Sequence, residues 1–217
     1  MLLLIFVHNF SYNEPVLNKN LFYQPEADLR ISENVFRTQI QDLYYLTYTK
    51  KHDQRGFFAE MLKMPAIENL TGQEFKIQQL NFSYSKTKVV RGLHAEGWNK
   101  LVAVVDGEAC CVLADVRQNS ETFKKVVYFK LNFDPENETG QMLYIPQGVA
   151  NSICSLNGPV SYIYGVDKLY KNREAKDNLA ISIFDPDLKI QWPFTKEEII
   201  LSNRDQQAIT LTELLKK

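Results

Sequence analysis

From Leu43 onward the chain is a succession of short apolar runs cut by turn residues, and this punctuation constrains the fold more than any other feature of the sequence. The runs predict strands over 43–48, 57–61, 76–85, 89–93 and 100–105, and again over 108–116, 124–131, 141–145, 149–156 and 160–165. Asp106-Gly107 is a hairpin signal between two apolar strands, and Pro146-Gln147-Gly148 marks another turn. Many short strands joined by tight turns predict an all-β sandwich or barrel, whose open end is a usual place for a small-molecule site. Residues 64–70 read as a short helix, and the charged tail 210–217 as another. Residues 1–42 are weakly periodic and read as an N-terminal extension, with 43–217 as the main domain.

At 217 residues the chain is long enough for one sizeable core. A formal net charge of −1 gives no global pull toward nucleic acid or acidic membrane. The opening stretch 1–7 is apolar but lacks a basic leader and is too short to span a bilayer. It reads as an ordered strand or docking segment, with a misassigned start as the lesser alternative. Cys110 and Cys111 are strand neighbours whose side chains diverge, and Cys154 completes the set without an evident disulfide framework. Such usage fits a reducing cytosol, so a cytoplasmic location is expected.

The chemistry concentrates at Val90-Arg91-Gly92-Leu93-His94. Side chains three residues apart on a strand point to opposite faces. Arg91 and His94 therefore diverge unless the strand bends, and Gly92 is the residue that permits a bend or bulge. Lys100 opens the next apolar run. A His, a Lys and an Arg near adjacent strand ends form a candidate titratable, cationic cluster suited to an anionic substrate.

Several segments, in order, resemble the nucleotide-4-keto-6-deoxysugar epimerases, of which the dTDP-4-dehydrorhamnose 3,5-epimerase family is the best-known type. They are Asp53-Gln54-Arg55-Gly56-Phe57-Phe58-Ala59-Glu60, Gln79-Leu80-Asn81-Phe82-Ser83, Arg91-Gly92-Leu93-His94 and Lys100-Leu101-Val102. Further along come Asp115-Val116-Arg117 with Ser120 and Phe123, Tyr144-Ile145-Pro146-Gln147-Gly148, Tyr164 with Tyr170, Gln191-Trp192-Pro193 and Leu201-Ser202-Asn203-Arg204-Asp205. Each segment is weak alone, but the ordered set is specific and covers roughly residues 43–207. The resemblance implies a cupin-like double-stranded β-helix (a jelly roll) with short peripheral helices, usually a homodimer. It also implies proton exchange beside a 4-keto group, in the synthesis of surface-polysaccharide sugars.

By that resemblance His94 is the base, a group that titrates near neutral pH. Asp205 is the carboxylate that fixes its tautomer. Asp185, before Pro186, competes for this role but reads as a turn residue. Lys100 stabilises the enolate oxygen, and Tyr164 delivers a proton from the opposite face. Tyr162 shares a strand face with Tyr164, so the residues alone do not choose between them; the family spacing favours Tyr164. Tyr170 lines the pocket. Arg91, Arg55 and Gln79 match positions that hold phosphates and sugar, a role suited to the planar guanidinium fork. Asn81 matches a sugar contact. Glu60 and Phe58 match the end that contacts the nucleobase, which in the family reaches in from the neighbouring subunit.

The chain also departs from the pattern. Asn151 stands where a second active-site histidine is usual, and it hydrogen-bonds without titrating. Cys111 replaces an acidic residue, which is expected to leave Lys100 without one partner. Ala95-Glu96 stands where a large residue and Gln are common, and Gly165 replaces a lysine. These changes leave open which nucleotide and sugar are used and whether one or both of C3 and C5 are epimerised. The only histidines are His8, His52 and His94, without a His-x-His pair, so no metal and no organic cofactor are expected. The expected partners are a nucleotide sugar and a second copy of the chain with shared sites. Neither nucleic acid nor membrane is expected. A ketoisomerase acting on the same substrates is a competing reading. So is a non-catalytic cupin that only binds nucleotide sugars, motivated by Asn151 and Cys111.

Overall fold

Alternation of buried and exposed side chains folds the apolar runs into two facing antiparallel sheets. The structure is a computed structural model that describes residues 17–172 and 178–216, so the reading of 1–7 lies outside the described residues. The strands are β1 (Arg30–Ser32), β2 (Val35–Arg37), β3 (Tyr44–Thr49), β4 (Lys51–Asp53), β5 (Gly56–Phe58), β6 (Gln79–Ser85) and β7 (Val90–Glu96). They continue with β8 (Lys100–Asp106), β9 (Glu108–Asp115), β10 (Val126–Asn132), β11 (Thr139–Ile145), β12 (Val149–Ser155), β13 (Val160–Val166) and β14 (Asn178–Ala180). The helices are α1 (Met64–Thr71), α2 (Asn203–Gln206) and α3 (Leu211–Leu214).

One sheet runs β1-β2-β3-β11-β8-β13-β6 and the other β10-β9-β12-β7-β14, while β4 and β5 form a separate ribbon. From β6 to β13 the chain passes repeatedly between the two sheets, which is the winding of a cupin-like jelly roll. The inner faces enclose a core that includes Val102, Leu113, Phe129, Leu143 and Ile153. Burying each such side chain contributes about 1.5–3 kcal/mol.

Both sheets are also covered on their outer faces, which is why β9 reads as a near-continuous apolar run and β12 is buried at every residue rather than at alternate ones. Ile181, Ile183, Leu188 and Leu211 from the C-terminal segment pack on the five-stranded sheet. Ile67 of α1 and Phe75 pack on the seven-stranded sheet. Pro65 at the start of α1 and Gly72 in a left-handed conformation at its end mark the helix limits.

The structure departs from the sequence expectations at the edges. Residues 17–42 contribute buried Tyr23, Phe36 and Ile40 to the inter-sheet core, and β2 extends the large sheet alongside β3. The strand expected over 57–61 ends at Phe58 and belongs to the β4–β5 ribbon, whose residues are all exposed. No helix among the described residues is long and apolar enough to cross a membrane.

Candidate active site

Gly92 decides where the chemistry falls. It adopts φ +136°, and β7 carries an extra residue there: Asn151 of β12 faces His94 and Ile153 faces Arg91. This bulge brings Arg91 and His94 into the same cavity, although their spacing on a regular strand would separate them. A Cβ on residue 92 would lie 2.5 Å from Cβ of Ser152 and 2.8 Å from the Asn151 carbonyl oxygen, so the close approach of β7 to β12 requires glycine.

The cavity has a volume of about 430 Å³, within the usual range for small-molecule sites. His94 comes from β7, Lys100 from the start of β8, Asn151 from β12 and Tyr164 from β13. Asp205 comes from α2. The preceding segment runs beside β7, where Val90 donates its N–H to the carbonyl of Ile200 at 3.0 Å, and Ser202 caps α2 through the Asp205 N–H.

Nε2 of His94 lies 2.7 Å from Oδ1 of Asp205. Burial pushes the Asp205 carboxyl up, but hydrogen bonds from His94, Ser202 and the Gly92 N–H prevail and hold it below its ordinary value. At neutral pH this carboxylate only accepts, so Nε2 of His94 is the donor of the pair. Asp185 takes no part. It is a turn and cap residue that accepts the N–H groups of Asp187, Leu188 and Leu211 at 2.9, 2.9 and 2.6 Å.

Lys100 is 6% exposed. Its Nζ donates to Oδ1 of Asn151 at 2.6 Å and pairs with the Glu96 carboxylate. The expectation that Cys111 leaves the lysine short of a partner is therefore overturned: the carboxylate arrives from β7 instead of β9. Burial lowers the Lys100 ammonium below the ordinary lysine range, with Glu96 opposing and Arg204 reinforcing that shift. Its Nζ also lies 5.9 Å from the centre of the Tyr164 ring. Tyr162 and Tyr164 are both in the cavity, their rings 5.8 Å apart. Tyr164 pairs with Val102 and Tyr162 with Val104, so Tyr164 is the nearer to the Lys100 end of β8. Burial and Glu96 raise the Tyr164 phenol, against a smaller lowering by Arg91, so it stays protonated at neutral pH.

The other expected site residues divide into three groups. Arg91 and Tyr170 line the cavity. Nε of Arg91 donates to Ser85 Oγ at 2.9 Å and its terminal nitrogen to the Tyr84 carbonyl at 3.0 Å, which fixes the guanidinium. Gln79 and Asn81 are bonded to each other at 2.6 Å, and Gln79 accepts the Tyr170 N–H at 3.0 Å, so they brace Tyr170 rather than form the cavity wall. Arg55, Phe58 and Glu60 do not reach this cavity within one chain. Arg55 has 85% of its side chain exposed and pairs only locally, with Asp53 at 2.6 Å. Sequence reasoning missed Glu96 and Ser83 as cavity residues. Glu96 carried a signal, since it stands two residues past His94 and so shares its strand face.

Fold and pocket together define a cupin-like protein whose cavity gathers several titratable side chains. A family model described as dTDP-4-dehydrorhamnose 3,5-epimerase matches residues 37–213. The chain belongs to that family and is an enzyme of the isomerase class. It is 33% identical over 187 residues to the dTDP-4-dehydrorhamnose 3,5-epimerase of Escherichia coli K12, covering 84% of this chain and 97% of the relative. It is 26% identical over 178 residues to the dTDP-4-dehydrorhamnose 3-epimerase of Streptomyces niveus, covering 80% of this chain and 82% of the relative. Among solved structures, the epimerase of Legionella pneumophila Philadelphia 1 in complex with dTDP-4-keto-L-rhamnose superposes with a TM-score of 0.73 at 32% identity, covering 82% of this chain and 93% of that one.

Proposed function

We propose that the protein epimerises a dTDP-linked 4-keto-6-deoxyhexose at C3, C5 or both, in deoxysugar synthesis for surface polysaccharides. The observation that carries this reading is the His94–Asp205 pair at 2.7 Å, opening onto a cavity shared with Lys100 and Tyr164. The 4-keto group acidifies the neighbouring C–H bonds. Nδ1 of His94 takes the proton, the C–H electron pair moves toward the carbonyl oxygen, and the Lys100 ammonium stabilises the resulting enolate. Tyr164 returns a proton to carbon from the opposite face, which inverts the centre. Its raised phenol supports the acid role. Arg91 takes the diphosphate, with Asn151 and Tyr170 beside the sugar, while Gln79 and Asn81 hold that wall.

The working unit is a homodimer. On β6, the edge strand of the large sheet, Leu80, Phe82 and Tyr84 are 68, 66 and 54% exposed along one face. Such an apolar edge calls for a partner. A second copy would cover it and supply Arg55, Phe58 and Glu60 to the nucleotide end of the cavity, whereas β1 and β2 lie at the opposite edge of the same sheet. Three buried free thiols support a reducing, cytoplasmic location.

The test is mass spectrometry of dTDP-4-keto-6-deoxyglucose incubated with the protein in D₂O. Two deuterons gained fit a 3,5-epimerase and one a single-centre enzyme, with NMR of the product separating epimer from keto isomer. No gain, with thermal stabilisation by the same nucleotide sugar, would leave a binding-only cupin.

A further inference from the structure

We propose that Glu96 is a positioning residue of this site: its carboxylate, supplied from β7, holds Lys100 in place and charged, which no acidic residue on β9 does in this chain. The inference rests on the epimerase reading for its kinetic consequence, but not for its geometry.

A lysine that is 6% exposed requires acceptors, because a buried ammonium without them is strongly unfavourable. Asn151 supplies a neutral one at 2.6 Å. On β9, Cys111 stands where the resemblance implies an acidic residue, and burial pushes its thiol far up and keeps it neutral. Glu96 is the carboxylate in contact with Nζ, and its side chain is 9% exposed.

The connection between β7 and β8 fixes the pairing. Glu96 ends β7 and Lys100 opens β8. The turn between them is pinned where Asn99 donates twice to Asp167, at 3.0 and 2.7 Å, and accepts the Gln147 N–H at 2.9 Å. Trp98 is buried in the same turn. Because Glu96 shares a strand face with His94, one strand carries both the base and the partner of the lysine.

The groups around Lys100 are Glu96 and His94 from β7, Asn151 from β12, Tyr162 and Tyr164 from β13, and Arg204 with Asp205 from α2. Among them Glu96 favours the charged lysine while burial and Arg204 disfavour it. Taking the charge off Glu96 therefore lets the ammonium lose its proton at lower pH.

The experiment compares the full-length protein with Glu96→Gln, which keeps size and hydrogen bonding, and Glu96→Asp, which keeps charge. Lysine labelled with ¹³C at Cε reports the Lys100 titration directly, with its signal assigned by Lys100→Arg. The expected result is a midpoint lower by about one pH unit or more in Glu96→Gln, a shift that corresponds to about tenfold in the protonation equilibrium. In deuterium exchange, kcat should fall about tenfold or more near pH 8 with KM changed less, and its alkaline limb should move to lower pH. Glu96→Asp should recover part of both. An unchanged midpoint and pH profile in Glu96→Gln, with exchange intact in the parent, would overturn the inference alone. A midpoint shifted in Glu96→Gln while the parent exchanges nothing supports Glu96 as the partner of Lys100 and removes the epimerase reading. If Glu96→Gln fails to fold, Glu96→Ala is read in its place: it too removes the carboxylate, and an unaltered Lys100 titration there would overturn the inference.

Discussion

Oδ1 of Asp205 stands 2.7 Å from Nε2 of His94 across 111 residues of sequence, and Asp205 reaches it from a four-residue helix capped by Ser202. Asp205→Asn turns this acceptor into a group that can donate, so the imidazole no longer keeps its lone pair reliably on Nδ1. Exchange of the substrate C–H should fall by about 10²–10⁴-fold, the span attributed to a positioned acid or base. Circular dichroism and thermal unfolding should show the fold retained. A variant exchanging deuterium at the parent rate would remove the pair from the mechanism.

Gly92→Ala tests the bulge that brings Arg91 and His94 together. The position has φ +136° and no room for a Cβ against Ser152 and Asn151. Strain of this kind costs about 1–3 kcal/mol, to be read as a lower urea midpoint. Exchange should fall further than stability, because Arg91, His94 and the Asp205 contact with the Gly92 N–H all depend on this backbone.

The strand pattern was legible because alternation and turn residues are local signals. All the strands expected after residue 75 exist, with ends shifted by up to three residues. What escaped was set by distant partners. β1, β2 and β14 are three residues each and take their order from the strands beside them. The β4–β5 ribbon looked like part of the sandwich because Phe57 and Phe58 are apolar, yet both are exposed in the single chain. That His94, Lys100, Tyr164 and Asp205 belong together in one cavity was legible through family motifs, whereas pattern alone left Tyr162 and Tyr164 equivalent. Glu96, a departure from the usual Gln, shares the His94 face by its period-two spacing, but its contact with Lys100 depends on a turn pinned by Asn99 and Asp167, which residue types do not give.

Acid should expose a second buried carboxylate, one away from the chemistry. Asp115 accepts from Arg117 at 2.9 and 2.8 Å, and from Ser120 and Thr122 at 2.6 Å each. Burial pushes it up, but these bonds prevail and hold it at about 2, against an ordinary 3.8. The gap corresponds to about 2 kcal/mol. The folded value is the lower one, so this stability is present above about pH 4 and is lost as pH falls toward 2. Urea unfolding at pH 7 and pH 3 should show Asp115→Asn less stable at pH 7 and with a smaller loss on acidification than the parent. Equal acid losses in the two proteins would assign the acid sensitivity elsewhere.

The shared-site dimer gives the sharpest arithmetic. His94 lies in the cavity of its own chain, while Arg55 is exposed on the β4–β5 ribbon. If each cavity takes its Arg55 from the partner, His94→Ala and Arg55→Ala are each inactive or nearly so as homodimers. Unfolded together and refolded as a mixture, half the dimers are mixed. In a mixed dimer the cavity with an intact His94 receives its Arg55 from the His94→Ala chain, and so is complete. The other cavity lacks both. A symmetric interface therefore returns about one quarter of the parent exchange rate. Phe82→Glu, which puts a charge in the middle of the exposed β6 face, should yield a monomer in sedimentation and abolish the recovery. No recovery from an efficiently mixed population that still forms dimers would place Arg55 outside the neighbour's site.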